Sequence, residues 1–449
     1  MVKVIVAEKK LDMTHMLGQF PTEADYDILV EEDCDVYAPP NCDLASQSEC
    51  DVPTDCQSCE KGMDERRIIF KFRKNWFTKE EQDAAYAGLR EAAVETQNRG
   101  IAAGPRQGSL GNRQWVTEYE YEMLDQFLKP TENLFGEDPI EEVRKKYAGK
   151  KDNASNRARV WSIERVKKEN FKFEEWVDAM KKLPPDEAKE KAEYVAEKLI
   201  CMTTYANSVN SGIAGWFDRY PRIPYGRATS YTRDKFEKFQ MAFPFLQSLS
   251  RGFKELMPWR YGNQMEAAAK IDQGFLVPGT PFTTITVNKT FRTACHFDAG
   301  DLNTGLSNLL TLSNNGNYSG CYLVAPEYRV AVNVRPGDLL LINNHEVMHG
   351  NTEIVCHDEI AERISLVCYF REKMLELGSK EYEDTRFQFV EDRRLNKEHP
   401  EQRSLWNGVS PGMWESDEWY DYLRGKLGEE ELYKYHPEAQ KSSSLEGFF

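Results

Sequence analysis

From Phe282 to Phe370 the hydrophobic pattern repeats every two residues, and this stretch constrains the fold more than any other part of the chain. Thr283 to Asn288, Leu306 to Leu312, Cys321 to Val324, Arg329 to Val334, Asp338 to Ile342, Thr352 to Val355 and Ile364 to Phe370 read as short strands. Asn-Asn-Gly, Ala-Pro and Pro-Gly-Asp turns part them. Short strands set this close, with no helix between them, indicate a jelly roll, or double-stranded β-helix. The expected class is α+β, with flanking helices and a helical insertion around that shell. Such a shell brings residues distant in sequence into one mouth.

The same stretch carries polar residues in a telling order. His296-Phe297-Asp298 comes first, His349-Gly350-Asn351 follows, and Arg363-Ile364-Ser365 closes it. Asp298 and His349 lie 51 residues apart and Arg363 follows His349 by fourteen, room for one turn and the next strand. Two imidazoles and a carboxylate on one side of an iron(II) ion leave its other positions open for a 2-oxoacid and O2. An arginine on the following strand can clamp the distal carboxylate of 2-oxoglutarate bidentately. Ser365, on the same strand face, can donate a further hydrogen bond. An HxD alone arises by chance at strand ends, so order and spacing carry this reading. His345 competes with His349 for the second imidazole. His349 is favoured because Gly350 beside it allows close approach to a ligand and because its distance from the arginine is the more usual one; His345 then stands behind the ligands or on the loop.

The chain has 449 residues, 40% hydrophobic and 12% aromatic, which suits one soluble catalytic body with insertions. No stretch approaches the roughly 18 apolar residues of a membrane span. No secretory pattern opens the chain, so an intracellular, reducing compartment is expected, with the ten cysteines as free thiols. The net charge of −16 is unevenly spread: residues 1–65 hold sixteen acids against four lysines, leaving the rest at −4. Residues 144–172 hold eleven basic residues against three acids, with Tyr147 and Trp161 among them. This is a candidate DNA-backbone patch, with Lys150, Lys151, Arg157 and Arg159 at its centre.

Five regions are expected. Residues 1–65 read as a flexible acidic extension; Cys56-Gln-Ser-Cys59 has the form of half a zinc site, but no second CxxC and no histidine stands at a matching distance. Residues 66–137 begin the catalytic domain, with a strand at Ile68 to Phe72, a helix at Lys79 to Thr96 capped by Thr78, and a glycine-rich loop at Arg99 to Gly111. Residues 138–206 are a charged helical insertion and a candidate DNA contact. Residues 207–374 are the β-helix core. Ahead of its strands, Ser211 to Arg233 reads as a loop in which arginines, Arg219 and Arg222 among them, alternate with aromatics. That composition suits either nucleic-acid stacking or packing over a core. Lys235 to Leu256 reads as one amphipathic helix, and residues 375–449 as a helical region with a loose tail.

The runs PFTTITVNKTFRTACHFDAGD, GCYLVAPEYRVAVNVRPGDLLLINNHEVMHGN and RISLVCYFR resemble the TET/JBP family of 2-oxoglutarate-dependent dioxygenases, which oxidise the 5-methyl group of pyrimidines in DNA. NRGIAAGP from Asn98 and GWFDRYPR from Gly215 extend the resemblance to roughly Arg67 to Met374. The resemblance implies iron ligation by His296, Asp298 and His349, and 2-oxoglutarate binding by Arg363 and Ser365. Where animal members carry a cytosine-recognising asparagine, this chain has Asp301, as in the thymine-acting branch. Tyr369 matches the family tyrosine near the methyl group, and Arg371 replaces a histidine of the animal enzymes. With Asn288, these are the expected substrate contacts, and they leave the base open between thymine and 5-methylcytosine.

The implied reaction is hydroxylation of that methyl group, with 2-oxoglutarate and O2 consumed and succinate and CO2 released. An unactivated methyl C–H yields only to a strong oxidant, and a duplex hides the methyl in its major groove, so the base must be extruded. DNA is the expected partner, with no membrane and no obligate protein partner indicated. The expected site is the nucleus in a eukaryote, or the cytoplasm of a bacterium or virus-infected cell. A protein or small-molecule hydroxylase on the same shell is the competing reading, and salt-dependent oligonucleotide binding separates the two. A non-catalytic scaffold is disfavoured by the intact ligand types.

Overall fold

The strands of the shell form two facing sheets in the computed structural model, which describes residues 2–39, 65–96, 99–105, 182–184, 187, 207–218, 225–395 and 411–442. Among the described residues the larger sheet has ten strands. Nine follow the order Lys3–Val6, Cys34–Tyr37, Ile68–Arg73, Leu339–Ile342, Ser307–Ser313, Arg363–Tyr369, Thr284–Lys289, Val209–Asp218 and Val94–Thr96; Gly226–Ala228 pairs with the eighth. The smaller sheet runs Gly350–Asn351, Leu323–Ala325, Val330–Val332 and Ile28–Val30, and Tyr318–Gly320 pairs separately with Ile354–Cys356.

Alternation along the strands divides two cores. Leu339, Leu341, Leu310, Leu312, Ile364, Leu366 and Cys368 pack with Phe245, Leu249 and Phe253 of helix Phe243–Leu256. Leu340, Ile342, Leu309, Val367 and Tyr369 face the other way and join Leu323, Val330 and Val332 of the smaller sheet. The layers are therefore helices, large sheet, inter-sheet core and small sheet, an α+β double-stranded β-helix with flanking helices. The same period puts Arg363 and Ser365 on the inner face with Val367 and Tyr369. By contacts the chain divides into two units, one of Met1–Pro105, Asn207–Gln388 and Glu415–Phe449, the other of Arg106–Ala206 and Phe389–Trp414. Both sheets belong to the first.

The structure differs from the sequence expectation in several places. Residues 2–39 belong to the fold and are no loose extension: Lys3–Val6 pairs in parallel with Cys34–Tyr37, and Ile28–Val30 in parallel with Val330–Val332. Cys34 and Val36 are buried while Glu8, Asp12, Glu23, Asp27, Glu31 and Glu32 stay exposed, so the acidic composition hid strands too short to show a period. Cys42, Cys50, Cys56 and Cys59 lie outside the described residues, as does almost all of the predicted insertion at 138–206. The helix at Lys79 has the expected cap, with Thr78 and Glu81 closing a capping box, but it ends at Leu89. Val94–Thr96, β-branched at both ends, instead pairs with the strand starting at Val209. The expected helix from Lys235 is broken into Phe236–Met241 and Phe243–Leu256, because Pro244 has no N–H to continue the first and fits the opening turn of the second.

Val209–Asp218, read as the start of a loop, is a ten-residue strand paired with Thr284–Lys289. Its glycines mark close backbone approach: a Cβ on Gly212 would lie 1.8 Å from the Ala92 carbonyl oxygen, and Gly215, at φ +92°, meets the Thr283 carbonyl. Trp216 is buried in the helix-side core, so packing accounts for that aromatic. Arg219 and Arg222 lie outside the described residues. No helix among the described residues is long and apolar enough to cross a membrane.

Candidate active site

His296 and His349 face one another across an isolated antiparallel bridge, each backbone N–H donating to the other's carbonyl at 3.0 Å. Gly350 permits this, because a Cβ there would sit 2.8 Å from the Cys295 nitrogen. The glycine therefore serves the approach of two chain segments, where its sequence context suggested the approach of a ligand. Gly350→Ala is expected to cost about 1–3 kcal/mol by forcing those segments apart. Denaturant unfolding of the metal-free protein measures this; an unchanged midpoint would show that the bridge yields without cost.

The two imidazole centroids are 4.4 Å apart, and the Asp298 carboxylate reaches both rings, Oδ1 3.3 Å from His296 Nε2 and Oδ2 3.9 Å from His349 Nε2. The three ligand atoms lie within 4.8 Å of one another. Each Nδ1 faces a backbone carbonyl, that of Ala294 at 2.7 Å from His296 and that of Val347 at 3.0 Å from His349. A ring nitrogen beside a carbonyl carries a proton, which turns both Nε2 atoms toward the metal position; burial opposes charge on His296, but the Asp298 hydrogen bond raises that ring above its ordinary value. Burial, helped by the neighbouring His296, lowers His349 to about 4, so this ring is neutral at physiological pH. Burial opposes the charge on Asp298, yet the His296 hydrogen bond and both imidazoles hold it down at about 2. Asn344 fixes that carboxylate, donating from Nδ2 to Oδ2 at 3.0 Å. His345 lies outside the cluster, its Nδ1 3.2 Å from the Asp298 backbone oxygen.

A cavity of about 470 Å³ opens onto these three residues and is also lined by Asn288, Asp301, Arg363, Ser365, Tyr369 and Arg371. Arg363 is 3% exposed; its Nη2 donates to Thr311 Oγ1 at 3.2 Å, and its buried Nε has no hydrogen-bond partner among the described residues. Ser365 stands in register with Thr311 on one side and Asn288 on the other, and Asn288 accepts from the Ser211 hydroxyl. Asp301 accepts from the Ser307 hydroxyl and forms an isolated bridge with Arg371, whose guanidinium pairs with the buried Asp218. Burial and, second, the charge of Asp298 push Asp301 up to about 8, so it holds its proton at neutral pH. Burial pushes Tyr369 up to about 12. Arg99, which sequence reasoning passed over, lines the same cavity and donates to Ser211 Oγ at 2.6 Å and the Gly212 carbonyl at 2.9 Å. Its one sequence signal is its place in NRGIAAGP. Lys150, Lys151, Arg157 and Arg159 lie outside the described residues.

Residues 213–372 match the family model Tet_JBP, the oxygenase domain of the 2OGFeDO superfamily. This part of the chain is similar to Tet/JBP oxygenase domains. Over 169 residues the chain is 37% identical to thymine dioxygenase JBP1 of Trypanosoma brucei brucei, covering 36% of this chain and 19% of that protein. Over 164 residues it is 35% identical to the bifunctional helicase and thymine dioxygenase JBP2 of Leishmania infantum, covering 36% and 14%. Over 174 residues it is 35% identical to JBP1 of Crithidia fasciculata, covering 38% and 21%. The matched region thus spans about a fifth or less of these relatives' length. A solved structure of NgTET1 in complex with 5mC DNA aligns over 87% of this chain and 90% of that chain at 10% identity and a TM-score of 0.39.

The superfamily's cofactors are iron(II), 2-oxoglutarate and O2, and the oxygenase domain's residues fit them. Two imidazoles whose Nε2 atoms face an ionised carboxylate are a ferrous donor set. A buried guanidinium nitrogen without an acceptor is costly, and an incoming carboxylate relieves that cost.

Asp301 gives the fold a pH dependence of known sign. Unfolded, its carboxyl ionises near pH ~3.9; folded, at about 8. Between these values unfolding releases a proton, so this group costs the folded state stability as pH rises through the window, and the cost levels off above it. Asp301→Asn is expected to gain stability relative to wild type steadily from about pH 4 to about pH 8 in urea unfolding of the metal-free protein. A constant difference would contradict the assignment.

Proposed function

We propose that this protein hydroxylates the 5-methyl group of a pyrimidine in DNA, consuming O2 and 2-oxoglutarate and releasing a 5-hydroxymethyl pyrimidine, succinate and CO2. The observation that carries the reading is the meeting in one cavity of His296, Asp298 and His349 with the unpartnered Arg363 Nε. His296, Asp298 and His349 would hold iron(II), and Arg363 and Ser365 would hold the distal carboxylate of 2-oxoglutarate. When bound, iron and 2-oxoglutarate supply the oxidant that a methyl C–H requires. The protein's own share is positioning. The Ala294 and Val347 carbonyls fix the imidazole tautomers, Asn344 fixes Asp298, Thr311 aims Arg363, and Leu309, Leu323 and Val367 make the cavity wall apolar.

DNA as substrate is supported by the relatives, which are named thymine dioxygenases. A methyl buried in a duplex groove reaches such a cavity only on an extruded base. Thymine presents a carbonyl at the edge where cytosine presents an amine. A protonated Asp301, with Arg371 beside it, offers donors to that edge, which favours thymine over 5-methylcytosine. A DNA substrate favours the nucleus in a eukaryote, or the cytoplasm of a bacterium or virus-infected cell.

Incubation with iron(II), 2-oxoglutarate, ascorbate and DNA with or without 5-methylcytosine, followed by nucleoside mass spectrometry, tests this. Hydroxymethyluracil nucleoside is expected from both DNAs. Hydroxymethylcytosine alone would move the reading to cytosine; no oxidised nucleoside, with succinate formed on a peptide or small molecule, would move it to another substrate class. Neutralising Lys150, Lys151, Arg157 and Arg159 is expected to weaken oligonucleotide binding and to flatten its salt dependence by about 0.9 in log–log slope for each phosphate no longer neutralised. Unchanged slopes would remove that patch from the DNA surface; Arg219 and Arg222 are the next to neutralise.

A further inference from the structure

Two large apolar side chains stand open at the cavity that holds the candidate metal ligands: Phe297, 38% exposed, and Ile101, 54% exposed. Both stand on backbone tied by hydrogen bonds. Phe297 lies between two metal-ligand candidates, with the His296 N–H bonded to the His349 carbonyl at 3.0 Å and the Asp298 N–H to the Asn344 carbonyl at 2.9 Å. Ile101 sits on the turn Gly100–Ala103, tied down where the Ala294 N–H donates to the Ala102 carbonyl at 2.9 Å. No ring among the described residues packs on Phe297, whereas Phe239 and Phe253 in the helix-side core each have aromatic partners. Folding does not require a phenyl ring at a solvated position between two polar ligands, and a polar side chain would be better hydrated there.

We propose that Phe297 is a positioning residue for the substrate: its open face is the surface on which the extruded pyrimidine stacks, with Ile101 completing an apolar rim. This rests on the function proposed above. Phe297 and Ile101 line the same cavity as His296 and Asp298, so a methyl group brought up to those ligands carries its ring into the space that Phe297 borders. Every base has a π face, so stacking holds the pyrimidine whatever its identity and leaves Asp301 and Arg371 to read its edge.

The test is equilibrium binding of a fluorescent oligonucleotide to the full chain with iron(II) and 2-oxoglutarate under anaerobic conditions, alongside KM and kcat in air. Phe297→Ala is expected to weaken binding and raise KM about tenfold or more on both duplex and single-stranded DNA, with kcat changed much less. Phe297→Tyr should restore both, and Phe297→Leu, which keeps the bulk and removes the π face, should not. Should the alanine variant fail to fold, the leucine variant carries the same comparison. Unchanged affinity, a loss confined to duplex DNA, or rescue by leucine as complete as by tyrosine would overturn the proposal while leaving the DNA reading intact. A wild-type protein that neither binds nor oxidises DNA overturns both.

Discussion

Asp298→Ala is expected to lower nucleoside oxidation by more than about a thousandfold, because it removes the one charged member of the candidate ligand set and with it the site for iron(II). The geometry makes Asp298 the hinge of the cluster: its two oxygens face the two histidines at 3.3 and 3.9 Å, and its orientation is set by Asn344. Calorimetric titration of ferrous ion under argon reads the loss directly, and the same variant should produce no succinate. Asn344→Ala removes only the support and should cost about ten- to a hundredfold in metal affinity. If Asp298→Ala bound iron as the wild type does, the metal would have to sit elsewhere. Equal losses in both variants would mean that Asn344 does more than orient its neighbour.

Arg363→Ala is expected to raise the KM for 2-oxoglutarate about a hundredfold or more. Truncating one partner of a buried, hydrogen-bonded charge pair costs roughly 2–5 kcal/mol, and Arg363 is buried with Nε open to an acceptor. Arg363→Lys should rescue little, since a lysine ammonium cannot reproduce the planar fork that meets a carboxylate with two bonds. Thermal stability should not follow activity. The free protein buries an unpaired nitrogen at this position, so losing the guanidinium should leave the unfolding midpoint of the cofactor-free variant close to wild type. Full rescue by lysine would point to a simple charge contact, and an unchanged KM would place the co-substrate against Arg99 instead.

The difference between what was legible and what was not follows from strand physics. Arg363, Ser365 and Tyr369 fall on one face because a strand turns alternate side chains to one side, and Ile364, Leu366 and Cys368 between them could only face a core. His296, Asp298 and His349 are legible by order and chemical type, and the spacing that favours His349 over His345 has a structural counterpart in the backbone bridge between His296 and His349. Lys3–Val6 and Ile28–Val30 were not legible, since each is three or four residues long and pairs in parallel with a partner that no local pattern can name. Val209–Asp218 was hidden by its glycines, which read as loop residues yet stand where neighbouring backbone leaves no room for a Cβ. Arg99 had no periodic or spacing signal at all; its place beside Ser211 comes from an edge strand meeting Val209–Asp218.

The most direct test is oxidation of thymine-containing DNA under 18O2 with iron(II) and 2-oxoglutarate. The account predicts one heavy oxygen in succinate and one in the hydroxymethyl group, in equal amounts, with both lost in Asp298→Ala. Labelled succinate without labelled nucleoside, or labelled nucleoside that persists in Asp298→Ala, would contradict it.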